Sequence, residues 1–431
     1  VSIAAEFAES LDGEVFGPES PGYEAIRRPV NLAYREVRPR LVVRCRSVPD
    51  VVSAIRYASA TGDRVVPRGG GHCFAGRSST DGIVLDMSGL DGIRVADDGI
   101  ATIGAGAHLG QVYAALHAHG RTLPAGCGPT VGITGLTLGG GIGLLGRKHG
   151  LTCDRLIGAQ VVLADGNVVD SDHEPELLWG LRGAGGGQFG VVTSLRFDTV
   201  PEPMTTRIEA HWPEVPLEQL ISAWQAWAPD APDELTVNLI LVSEPGAPVQ
   251  ATLVGAAALD EGSTRELLQE FTAGVLDLRP GLPFHQLKNT FAEPPEGRAM
   301  RSRSEFFSHA LADETLAALL TQLGAPRAVG RRKITFTSMG GAYNRVAEDA
   351  TAFAHRNERF LLEHVAEAAD PWVDASWATA HTDGSGRVYP NFPDPALEDW
   401  AWAYHAGNYP RLQAVKHAYD PHRFFDFPQA I

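Results

Sequence analysis

Cysteine is scarce. The four in 431 residues, Cys45, Cys73, Cys127 and Cys153, are too few for a disulfide framework and lack the close pairs of a structural zinc site. Basic residues are also in the minority. Thirty-six Lys and Arg stand against 52 Asp and Glu, giving a formal charge of −16, which disfavours nonspecific binding to nucleic acid or anionic membrane. No run of 18 apolar residues occurs, so no segment reads as membrane-spanning. The acidic start VSIAAEFAESLDG has no basic leader followed by an apolar core, so a cytoplasmic location is expected, although a secreted form with its leader removed reads the same. No HExxH or similar histidine cluster is present, so no metal is expected. A G-x-S-x-G elbow is missing, which leaves a serine hydrolase without support.

Glycine is abundant, and it is concentrated. The stretch Gly120–Gly150 (GRTLPAGCGPTVGITGLTLGGGIGLLGRKHG) interleaves glycines with Thr130, Thr134 and Thr137, and Pro67–Cys73 (PRGGGHC) has the same character and adds His72. Side chains this small let backbone N–H groups approach a ligand, and successive donors can form an anion-binding nest. Two such loops suggest a large phosphate-bearing cofactor held from both sides. The order G-x-G-x-x-G of a dinucleotide fingerprint is nevertheless absent from PRGGGH.

Around these loops the pattern alternates strand and helix. Strands are expected at Leu41–Val43, Val65–Val66, Ile83–Asp86, Ile100–Gly104 and Val191–Phe197, with a hairpin turning at Asp165-Gly166. Helices are expected after Pro49, around Leu109–Leu116 and at Glu176–Arg182. Pro201 and Pro203 mark a boundary, beyond which strands (Thr205–His211, Leu235–Val242, Val249–Gly255, Ile334–Ser338) alternate with longer helices (Leu217–Trp227, Thr264–Phe271, Ala312–Gln322, Asn344–Ala369). The reading is α+β: residues 1–203 form a cofactor domain, 204–385 an antiparallel-sheet substrate domain flanked by helices, and 386–431 a segment returning to the first domain. Trp372, Trp377, Trp400 and Trp402 read mostly as core.

Several blocks carry a resemblance to a known family: RGGGHCFAG (68–76), LPAGCGPTVGITGLTLGGGIGLLGRKHGLTCD (123–154), VVLADGNVV (161–169), LLWGLRGAGGGQFGVVTSLRF (177–197), GGAYNRV (340–346), YPNFPD (389–394) and YHAGNYPRLQAVKHAYDPHRFF (404–425). The chain resembles the flavin-linked oxidases of the berberine bridge enzyme type, of the vanillyl-alcohol oxidase and p-cresol methylhydroxylase fold. The resemblance implies FAD lying between two subdomains of a PCMH-type module, under a substrate domain whose antiparallel sheet covers the flavin ring. It implies a covalent bond from His72 to the flavin. Arg68, Gly69, Gly70, Gly71, Cys73, Gly76, Gly128, Thr130, Val131, Gly132, Thr134, Gly135, Gly139, Gly140, Gly141, Gly143, Gly190, Val191, Val192, Asn391 and Asn408 would complete the cofactor site.

One departure bears on the linkage. Bicovalent relatives carry P-A-G-x-C-P-T-V-G, whereas here Gly128 occupies the cysteine position and Cys127 sits one residue early. One residue moves Cα by about 3.8 Å. A single bond through His72 is therefore favoured over a second one through Cys127. The resemblance further implies hydride transfer from a hydroxyl-bearing carbon of a sugar-like or secondary-metabolite substrate, with O2 reduced to H2O2. Tyr389 would be the base and His355, expected on a helix, a second candidate. Asn391 and Asn408 would orient, and the valine at 131 suits an oxidase. A dehydrogenase using another acceptor, or an oxidative cyclase, is the alternative. Substrate and O2 are the expected partners.

Overall fold

The computed structural model describes residues 7–271, 274–291 and 298–431. Its first two hundred residues build two sheets. Glu14–Phe16, Leu41–Arg44, Ile83–Asp86 and Val65–Arg68 form a four-stranded sheet in that order, parallel among its last three strands. The helix Val48–Thr61 makes the crossover. Ser47 caps it by accepting from Asp50 N, Pro49 lies in its first turn, and Gly62 closes it in the left-handed region at φ 71°. Its buried face, Val51, Ala54, Ile55 and Ala58, packs on Val43, Val65, Ile83 and Leu85. The second sheet is antiparallel, in the order Ile93–Val95, Ile100–Gly104, Val191–Asp198, Leu156–Val162, Val168–Asp170.

Beyond Pro203 a seven-stranded antiparallel sheet runs in the order Val275–Pro283, Met204–His211, Gln250–Ala257, Leu235–Ser243, Arg332–Ser338, Phe360–Glu367, Met300–Phe307. Alternation sets its two faces. Leu235, Val237, Leu239 and Leu241 are buried with Leu220 and Trp224 of the helix Leu217–Trp227, Leu319 of Asp313–Leu323 and Val373 of Trp372–His381. Thr236 and Asn238, between them in sequence, point the other way, towards the glycine-rich half.

The expected helix Asn344–Ala369 is not formed. A short 3-10 turn, Gly341–Arg345, leads into loop and then the strand Phe360–Glu367, whose Phe360, Leu362 and Ala366 join the sheet's core. Period two governs that segment, not 3.6. Two further strands escaped expectation. Val275–Pro283 is a sheet edge containing Pro280, tolerated because an edge position needs no inward donor. Met300–Phe307 begins with alternating arginines whose charges are met by Asp374 and Asp394.

Two buried arginines tie the halves together. Arg147, only 1% exposed, bonds no carboxylate among the described residues. Its guanidinium donates to Leu235 O at 3.0 Å, Pro229 O at 2.7 Å, Met339 O and Ala231 O. Arg356 pairs with Asp154 at 2.7 and 3.0 Å and donates to Thr351 Oγ1. The C-terminal helix Tyr409–Tyr419 docks back on the first half through Lys416, which donates to Gln188 O, Phe425 O and the Asp420 carboxylate. Phe425 lies in the core of the four-stranded sheet.

Arg147→Met should lower stability by about 3 kcal/mol or more, since several buried carbonyls lose their donor together. Urea midpoints of the variant and the parent measure it, and equal midpoints would show the clamp to be dispensable.

Candidate active site

A cavity of about 490 Å³ lies between the glycine loops and the seven-stranded sheet. Its floor is made by close backbone packing. Gly70 and Gly132 approach so nearly that a Cβ on either would overlap the other's backbone nitrogen, and Gly71 takes φ 73°. These two loops, 67–73 and 126–135, therefore meet here because neither carries side chains at the crossing. Gly69, Gly71, Cys73, Gly128, Val131, Thr134, Gly135, Gly143, Gly190 and Val192 line the same space.

His72 faces this cavity, with Nε2 3.0 Å from Thr130 Oγ1. Burial pushes its pKa down, partly offset by the Thr130 contact and reinforced by His108, so the neutral imidazole is favoured. Cys127 also lines the cavity, but Lys288 Nζ lies 3.1 Å from its sulfur and 3.2 Å from Ala125 O. Burial depresses the Lys288 pKa, and no carboxylate bonds to it among the described residues.

Tyr389 is 3% exposed at the opposite wall. Its oxygen receives Gly141 N at 3.0 Å, Ile142 N at 3.1 Å and Asn391 Nδ2 at 2.9 Å. Asn391 also donates to Leu136 O, which fixes the sense of its amide. Burial raises the Tyr389 pKa, while these three donors, each stabilising the phenolate, pull the other way.

Other expected site residues stand elsewhere. Arg68 turns into its own loop, donating to Ser78 O, Ile26 O and Arg27 O, and buttresses it from behind. Gly76 packs against the Tyr34 ring, and Val191 belongs to the core of the four-stranded sheet. Gly139, Gly140 and Gly141 form the layer behind the wall, against Asn391, Phe353 and Thr152. Asn408 donates to Glu348 O and Thr351 O, outside the lining. His355 is corrected in both position and role. It lies in loop, fully buried between Phe306 and Phe353, with Nε2 3.0 Å from Tyr404 O, and burial drives its pKa well below the usual histidine range. Away from the lining, it is a core histidine.

The lining includes residues that motif reading passed over. Arg77 contributes a guanidinium that no carboxylate pairs among the described residues. It donates to Gln429 Oε1 and lies over the Phe427 and Tyr404 rings, with Nε lacking a partner. Ser78 Oγ is likewise buried without a partner, and Gly185, Gly186 and Gly187 continue this wall. A Cβ added at Gly135 or Gly186 would meet no atom, so both positions leave their side of the cavity open. Orphaned donors, bare backbone and an unpaired cation suit a diphosphate, and a volume of this size with apolar walls suits the rings of a flavin dinucleotide. The residues present fit FAD. Gly185–Gly187 fall inside the motif block 177–197; Arg77 had no signal beyond its proximity to PRGGGH.

Comparison with known proteins agrees. The family model for an FAD binding domain matches residues 39–172, and that for berberine and berberine-like proteins matches 388–431. An uncharacterised FAD-linked oxidoreductase of Bacillus subtilis is 32% identical across 98% of this chain and 97% of its own length. Berberine bridge enzyme-like 1 of Physcomitrella patens superposes with a TM-score of 0.91 at 26% identity, over 100% of this chain and 99% of that one. The glucooligosaccharide oxidase of Acremonium strictum, described as holding 6-S-cysteinyl, 8α-N1-histidyl FAD, superposes at 0.88 with 26% identity, over 100% and 99% of the chains.

Gly186→Leu would put a side chain into the open wall. Flavin content, read as the 450 to 280 nm absorbance ratio, should fall sharply, while far-UV circular dichroism stays unchanged. Full flavin content in the variant would move the cofactor away from this wall.

Proposed function

This chain belongs to the berberine bridge enzyme-like FAD-linked oxidases of the vanillyl-alcohol oxidase and p-cresol methylhydroxylase superfamily, and on that premise we propose that it oxidises a hydroxyl-bearing carbon of a small molecule, sugar-like or a secondary metabolite. The observation that carries this reading is a single cavity walled on one side by a neutral His72 and on the other by Tyr389, whose oxygen meets three N–H donors. FAD, when bound, would supply a two-electron acceptor for the substrate's hydride, with O2 as the final acceptor and H2O2 as its product.

His72 is the anchor in this proposal. A neutral imidazole keeps the lone pair that a covalent bond to the flavin needs. The sulfur of Cys127 is engaged by Lys288, which supports a single link through His72. Gly69–Gly71, Gly185–Gly187, Arg77 and Ser78 would hold the diphosphate.

Tyr389 takes the hydroxyl proton. Two of the donors to its oxygen are backbone amides and cannot leave, whereas Asn391 is a side chain that an incoming substrate hydroxyl can displace. The phenolate is the active form, and burial raises the pKa that governs it, so reduction should speed up with rising pH through an alkaline limb.

Three measurements check these assignments. His72→Ala should release all remaining flavin on acid precipitation, and flavin retained in the pellet would make another residue the anchor. Tyr389→Phe should slow anaerobic flavin reduction by about 10²- to 10⁴-fold; an unchanged rate removes it from the chemistry. Asn391→Leu deletes a donor to the phenolate and should move the alkaline limb to higher pH, and a limb that stays in place would mean that Asn391 does not act on the base.

A further inference from the structure

The seven-stranded sheet contributes five residues to the cavity wall, Thr236, Asn238, Thr337, Ser338 and Leu361, and none of them carries a charge. Ile240 pairs with Thr335, which sets Asn238 and Thr337, each two residues away, on one face; Thr337 pairs in turn with Leu361. Asn238 Oδ1 accepts from Ser338 N at 3.3 Å. That contact assigns the oxygen end of the amide to the strand and leaves Nδ2 to face a ligand. Thr236 is 3% exposed, and its Oγ1 has no hydrogen-bond partner among the described residues. A buried hydroxyl without a partner in a cavity wall is a group waiting for one.

Apolar side chains, Ile142 and Phe392 among them, border this polar patch. An ion placed here would be desolvated with no counter-charge from the sheet, which disfavours it. Glu363, two residues beyond Leu361 on the same strand, does not alter that. It accepts from Ser302 Oγ at 2.6 Å, and burial pushes its carboxyl towards the neutral form.

We propose that Asn238, supported by Thr236 and Thr337, selects an uncharged substrate by donating from Nδ2 to one of its hydroxyl or carbonyl oxygens, while the hydrocarbon part lies against Leu361, Ile142 and Phe392. The proposal rests on the oxidase reading and narrows it to a substrate class: neutral molecules that combine an oxygen acceptor with an apolar face. Charged relatives of the same shape are excluded by the sheet, not by the size of the cavity. The discrimination follows the general asymmetry of polar sites, where a placed donor left without its acceptor rejects a ligand more strongly than a missing methylene does.

The flavin's own absorbance reports binding in the holoenzyme, independently of turnover. Benzyl alcohol, benzoate and benzylammonium share one ring and differ in charge, and each can be titrated at neutral pH. The wild type should bind benzyl alcohol about tenfold or more tightly than either ion, a difference of about 1.4 kcal/mol. Asn238→Asp keeps the acceptor for Ser338 N, deletes the donor and adds a negative charge, so it should weaken benzyl alcohol and turn the preference towards benzylammonium while benzoate stays rejected. Thr337→Val, which preserves shape, should weaken benzyl alcohol alone. Equal binding of ions and alcohol by the wild type, or an unchanged preference in both variants, overturns the proposal. Tight selective binding of benzyl alcohol without anaerobic flavin reduction would uphold the selection and count against oxidation of a simple hydroxyl carbon, so the two readings fail separately.

Discussion

The site depends on one buried guanidinium that bonds backbone carbonyls and, among the described residues, no carboxylate. Arg147 gives its hydrogens to backbone carbonyls at Pro229, Ala231, Leu235 and Met339, all in the second half of the chain, from a position just beyond the glycine loop of the first. Burial depresses its pKa, the nearby Asp233 and Asp230 partly offset this, and the carbonyls must stay where they are for the charge to be tolerated. The preceding residue, Gly146, has no room for a Cβ because the Tyr343 hydroxyl occupies the place, and that hydroxyl also bonds Gly143 N and O. The loop and the sheet are thus fixed to each other across the cavity, and the spacing between Asn238 on one wall and the glycine floor on the other is set by this junction.

Electrostatics divide the cavity. The chain is acidic, with a formal charge of −16, yet FAD carries a diphosphate. Attraction by the whole protein cannot serve, so recognition has to be local. Bare amides, Arg77 and the Ser78 hydroxyl would do this at one end. At the other end the sheet offers amide and hydroxyl groups with no charge at all. On the proposed readings, local donors would bind an anion where one is required, and their neutrality elsewhere would keep a second anion out.

Sequence and structure agree where a single short segment determines the outcome. The strands Ile83–Asp86 and Ile100–Gly104 and the helix Leu217–Trp227 follow from their own periodicity and their bounding turns. Phe360–Glu367 does not, because its burial is conferred by neighbours distant in sequence, and an apolar run flanked by charges reads equally as helix. The site divides along the same line. The glycines of 69–71 and 126–135 are legible because their function lies in residue type and adjacency. Direction is not legible: Arg68, inside the motif, turns away from the cavity, and Arg77, nine residues later, turns into it. Thr236, Asn238 and Thr337 gain meaning only when strands pair, although polar residues interrupting the apolar alternation of Leu235–Ser243 were a faint sign.

The return of the C-terminal segment carries a consequence for how the enzyme matures. The cavity wall takes His72 from early in the chain and Tyr389, Asn391 and Phe427 from late in it, and the Lys416 contacts hold that late segment in place. Such long-range closure is among the slower events of folding. A chain that has formed both of its early sheets still lacks the Tyr389, Asn391 and Phe427 part of the pocket wall. On the proposed reading, the site for the cofactor is completed only when the last segment docks, and flavin linked through His72 would record that docking.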